Sequence, residues 1–135
     1  MSETNRRTFL TTTAALCAGT VAASTPLPAA GKKYPIVHHV FFWLKNAGSE
    51  TDRKKLIEGV RTLKAIEQIG ELHIGVVAST EKRDVVDTSW DVSELIFFRD
   101  LAAQAAYQNH PIHLAFVRNY GHLWSKVIVY DAMEA

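Results

Sequence analysis

From residue 34 onward the hydrophobic period of the chain changes several times, and each change marks an element. Ile36 to Lys45 is apolar on both alternating sets. Ile36, His38, Val40, Phe42 and Leu44 point one way, and Val37, His39, Phe41 and Trp43 the other. A strand apolar on both sides is a central strand covered twice. Asn46 to Gly48 makes a turn, after which the period lengthens. Leu56, Val60 and Leu63, with Ile57 and Ile66, recur at helical spacing, and basic residues take the other face. Ser49-Glu50-Thr51-Asp52 has the form of a capping box opening that helix, and Gly70 suits its end.

Alternation returns from Glu71 to Ala78, with Leu72, Ile74 and Val76 on one side. Ser79 to Thr88 is polar and reads as a loop, a candidate rim for a pocket. Trp90 to Phe98 is a third strand, Asp100 caps a short helix through Tyr107, and Pro111 to Asn119 is a further helix ended by Gly121. Trp124 to Asp131 is the last strand. The order is β-α-β-β-α-β with the second helix broken in two, which predicts an α+β, ferredoxin-like fold. Its antiparallel sheet carries helices on one face only. Phe41, Trp43 and their neighbours on the other face are too apolar to leave wet. A second copy covers them best, so the pattern predicts a homodimer whose two sheets close on each other, a dimeric α/β barrel.

Length and composition add limits. The chain has 135 residues, room for one core, and 47% hydrophobic with 21% charged residues is ordinary globular composition. Asn5-Arg6-Arg7-Thr8-Phe9-Leu10 resembles the bacterial twin-arginine export motif, and a weakly apolar run without acidic residues follows it. Val21-Ala22-Ala23 offers small residues for cleavage, so residues 1–23 read as a signal peptide, 24–33 as a linker and 34–132 as the domain. The run is too short for a lasting anchor. The product is expected outside the cytoplasm, periplasmic or extracellular. Cleavage removes Arg6 and Arg7 from 15 basic residues and Glu3 from 14 acidic ones, leaving 13 of each. A neutral domain lacks the field that gathers nucleic acid or anionic lipid. Cys17, the single cysteine, leaves with the signal, so no thiol chemistry remains.

Candidate chemistry concentrates in Tyr107-Gln108-Asn109-His110-Pro111-Ile112-His113. Pro111 fits the first helical position and biases His110 towards extended backbone. His113 then falls in the first helical turn, where the dipole disfavours a protonated imidazole. A neutral imidazole beside a phenol can serve as base and acid. His113 and Tyr107 are the catalytic candidates, and His38, His110, Phe42 and Trp90 the candidate ligand-binding residues. His39 faces away from His38, so at most one of the two joins a pocket. Phe42, Trp90, Phe97, Phe116 and Trp124 offer an aromatic wall. His-x-x-His around a proline is not a zinc spacing, and no carboxylate lies beside it in sequence, so neither metal nor cofactor is expected.

His38-His39-Val40-Phe41-Phe42-Trp43-Leu44-Lys45, Trp90-Asp91, and Tyr107 with His110-Pro111-Ile112-His113 together resemble the stress-responsive A/B barrel family, often called Dabb, across about residues 34–132. The resemblance implies a dimeric barrel. It also implies, from a plant polyketide cyclase of the family, aldol chemistry without cofactor. That enzyme's catalytic tyrosine and histidine fall on Tyr107 and His113 and a further histidine on His38, while another is replaced by Val92. The expected function is binding of a small, mostly apolar organic molecule, with proton transfer of cyclase or isomerase type. The alternatives are a non-catalytic binding or stress-protection module, and a haem- or metal-dependent oxygenase-like barrel.

Overall fold

The computed structural model describes residues 33–135. The expected signal, its cleavage point and nearly all of the linker lie outside the described residues. Four strands form one antiparallel sheet: β1 (Ile36–Leu44), β2 (Ile69–Gly75), β3 (Val92–Phe98) and β4 (Trp124–Met133), in the order β2-β3-β1-β4. Three helices, α1 (Glu50–Thr62), α2 (Leu101–Gln108) and α3 (Pro111–Tyr120), cover one face. The order and topology are those of the ferredoxin-like fold. Among the described residues no helix is long and apolar enough to cross a membrane.

β1 lies between β3 and β4, as its two-sided apolarity requires. Its inward set alternates buried and half-buried with the outward set along the whole strand. The core joins Phe42, Leu44, Ile96 and Phe98 of the sheet to Leu56, Val60 and Leu63 of α1 and its continuation, and to Phe116 of α3. Ser49 caps α1 by accepting from the Asp52 N–H at 3.2 Å, and Asp100 caps α2 by accepting from the Ala103 N–H at 2.8 Å.

Gly70 does not end the helix. α1 tightens into a 3₁₀ turn at Leu63–Ala65, and Gly70 lies inside β2 with its Cα against the ring of Tyr34. β2 stops at Gly75, so Val76 belongs to the following loop and is exposed. A β-bulge between Trp43 and Leu44 shifts the register against β4, so Leu44 faces Trp124 across one extra residue. That shift puts Trp124 on the helix side. The helix layer stops short of β4, whose inward Val127 and Val129 stay exposed.

Candidate functional site

The sheet register sets the floor of the site. On the inward face His38 stands opposite Ile96 on one side and Asp131 on the other, and Val40 stands opposite Glu94 and Val129. Glu94 is therefore a diagonal neighbour of His38, a Cβ spacing of roughly 7 Å. α2 lowers Tyr107 onto this row, because Ala103 and Tyr107, four residues apart, both face the sheet. The Tyr107 ring lies 5.7 Å from that of His38 and 4.6 Å from that of His113. These residues line a partly open cavity of about 280 Å³ with Gln108 and an otherwise apolar wall that includes Val40, Phe42, Phe116 and Trp124. That volume is near the lower end of the roughly 300–1,000 Å³ typical of small-ligand pockets.

Four polar side chains of the cavity, His38, Glu94, Tyr107 and His113, have defined partners. Nδ1 of His113 meets the Gln108 carbonyl at 3.0 Å. A carbonyl can only accept, so Nδ1 carries the hydrogen and Nε2 is the free, unprotonated nitrogen. Burial holds His113 below the ordinary imidazole range; the Gln108 carbonyl opposes this and nearby His38 adds to it. Nδ1 of His38 meets Asp131 Oδ1 at 2.6 Å, and since a carboxylate only accepts, Nδ1 carries a hydrogen. His38 is buried, while Asp131 sits on the open edge.

The Tyr107 hydroxyl donates to Glu94 Oε1 at 2.8 Å. Glu94 is 2% exposed, and burial raises its pKa to about 7 against the opposing effect of the Tyr107 bond. Burial and then the Glu94 charge push the Tyr107 phenol well above its usual range. The phenol is thus committed to a carboxyl group, a partner the sequence reading did not foresee. Glu94 shares the alternation of the inward Val92, Ile96 and Phe98. That parity was the available signal for an inward carboxylate.

His38, Phe42, Tyr107 and His113 are brought together; two other candidates are not. His110 is the N-cap of α3, its Nδ1 accepting from the Ile112 N–H at 3.1 Å, and it does not line the cavity. Its place directly before Pro111 makes it helix entry instead. Trp90 precedes β3 and packs on Phe41 at 5.1 Å, on the opposite face of the sheet. Phe97 shares that outer face by register with Val37. The aromatic wall is Phe42, Phe116 and Trp124 alone of the five expected residues. The polar loop does not rim this cavity; Val77 to Thr88 enclose a separate concavity of about 510 Å³. Among the described residues no group of three or more His, Cys, Asp or Glu side chains is placed to hold a metal ion.

A family model described as "Stress responsive A/B Barrel Domain" matches residues 36–134. A Dabb-family protein with a ferredoxin-like fold from Mesorhizobium loti is 26% identical and superposes with a TM-score of 0.61, covering 76% of this chain and 98% of its own. A hydroxynitrile lyase from Passiflora edulis is 18% identical with a TM-score of 0.62, over 77% of this chain and 96% of its own. A dimeric ferredoxin-like protein from Thermobifida fusca is 14% identical with a TM-score of 0.61, over 81% of this chain and 99% of its own. No curated protein matches the chain.

Proposed function

The chain belongs to the stress-responsive A/B barrel domain family, and on that premise we propose that it binds a small, mostly apolar carbonyl compound and moves a proton on it with His113 as base. The observation that carries this reading is a cavity of ligand size with two imidazoles whose Nδ1 atoms are engaged by acceptors. His113 then has an unprotonated Nε2 for a proton alpha to a carbonyl, and the apolar wall supplies binding. The lowered pKa keeps His113 neutral, and therefore usable as a base, at neutral pH. A hydroxynitrile lyase shares the fold, so enzymes occur on this scaffold. A non-catalytic binding module uses the same cavity without proton transfer.

We place the mature protein outside the cytoplasm, as a homodimer. Export rests on the twin-arginine-like segment. Dimerisation rests on Phe41, Trp43 and Tyr130, aromatic residues gathered on the face away from the helices, and on the dimeric Thermobifida fusca relative. The direct test of chemistry is deuterium incorporation into an aryl 1,3-diketone in D₂O, followed by proton NMR. The protein should accelerate loss of the alpha-proton signal, and His113→Ala should abolish most of that acceleration. Binding of the diketone with no acceleration leaves the module reading in its place.

A further inference from the structure

A base that removes a carbon-bound proton leaves negative charge on the carbonyl oxygen, and the cavity needs a group to meet it. Tyr107 is poorly suited, because its proton already lies on a hydrogen bond to Glu94. Glu94 is the alternative. It lines the cavity with both histidines. Among the described residues no lysine or arginine pairs with it. Its Oε1 takes the Tyr107 bond, and among the described residues its Oε2 has no protein partner. Oε2 is not sealed in the core either, since Gln68 Oε1 is the one fully buried side-chain oxygen or nitrogen lacking a partner among the described residues. It therefore reaches the cavity.

We propose that Glu94 is a further catalytic residue of this cavity, a neutral acid whose Oε2 proton goes to the carbonyl oxygen of the bound molecule. This rests on the proton-transfer reading above. A buried carboxyl without a cation favours its neutral form, and its raised pKa agrees with that. The groups facing Glu94 are His38 from β1, Tyr107 from α2 and His113 from α3, with Asp131 of β4 behind His38; β2 offers only Ile74 opposite it.

The step balances without electron transfer. The C–H bond breaks to His113 Nε2, its electron pair forms the C=C bond, and the carbonyl π pair takes the Glu94 proton. The products are a neutral enol, an imidazolium and a carboxylate. The enol proton then returns to Glu94 as the imidazolium proton goes to carbon. Return to the same carbon gives exchange, and return to the far carbon of a conjugated dienol gives isomerisation. Tyr107 is a positioning residue here, occupying Oε1 so that the carboxyl proton lies on Oε2, towards the cavity.

The probe is 2,4-dinitrophenolate, an oxyanion ionised throughout the range of interest, titrated into the full-length protein and followed by its visible absorbance. Its oxygen should accept from protonated Glu94, so affinity should fall about tenfold per pH unit above the Glu94 pKa of about 7. Diketone exchange should lose rate across the same range. Glu94→Gln should abolish that pH limb in both measurements and slow exchange by roughly a hundredfold. Glu94→Asp keeps an acid and should restore the limb, which separates lost chemistry from lost folding. An unchanged limb in Glu94→Gln overturns the role of Glu94 while the His113 reading stands. No exchange by the wild type and no probe binding remove both.

Discussion

Glu94→Gln also makes a prediction about folding that needs no substrate. Glutamine keeps the volume of glutamate and leaves an oxygen to accept the Tyr107 bond. What it removes is ionisation. The carboxyl has a pKa near 4.5 in the unfolded chain and about 7 in the folded one. Between those values the folded protein holds a proton that the unfolded chain releases, so rising pH favours unfolding. The stabilisation is fully present below about pH 4.5 and is lost as pH rises through about 7. At about 1.4 kcal/mol per pH unit, the loss comes to about 3 kcal/mol. In a domain of this size that is a melting shift of roughly 15 °C. Burial and lowering of the His113 pKa work in the other direction, towards loss of stability as pH falls below its ordinary value, but both proteins carry His113. Urea unfolding of wild type and Glu94→Gln at about pH 4.5 and 8.5 isolates the carboxyl. The variant should gain about 3 kcal/mol relative to wild type between the two conditions. A difference that stays flat with pH would refute the argument, because it would mean that Glu94 ionises in the fold as readily as in the unfolded chain.

Three further outcomes follow from the same structure. Tyr107→Phe removes the hydrogen bond that lowers the Glu94 pKa, so the limb in dinitrophenolate binding should move to higher pH. Gly59→Ala ordinarily gains up to about 1 kcal/mol inside a helix. Here the added methyl would meet Tyr120 Cγ at 2.6 Å, so the change should destabilise by about 1–3 kcal/mol, read as a lower melting temperature. Phe41→Asp puts a charge among Trp90, Tyr130 and His39 on the outer face. Light scattering should show half the wild-type mass with unchanged circular dichroism.

The elements were largely legible in the sequence because they rest on short-range rules. β1 declared itself by apolarity on both faces, and Ser49, Asp100 and Pro111 each mark a helix start that the structure contains. Gly70 misled because a glycine after a helical run has two uses, and here a close approach by the Tyr34 ring takes the place of a helix cap. The site was only half legible. Tyr107 and His113 stand together because six residues and one proline fix their relation. Asp131 reaches His38 from 93 residues away. That pairing depends on strand register, which no local pattern specifies. Glu94 did sit on a readable parity, but a charged residue within an apolar strand reads first as an edge or a solvent position. Trp90 was misplaced by taking the strand to begin two residues early.

The bulge at Trp43 and Leu44 has a practical consequence for anyone working with this protein. By turning Trp124 to the helix side, it divides the chain's three tryptophans between two compartments. Trp124 stands in the cavity wall, while Trp43 and Trp90 stand together on the outer face beside Tyr130. Replacing Trp43 and Trp90 by phenylalanine leaves one fluorophore, whose emission reports what enters the cavity. Replacing Trp124 instead leaves two that report what covers the sheet. The molecule carries its own pair of optical gauges, one for occupancy and one for assembly, with no dye attached.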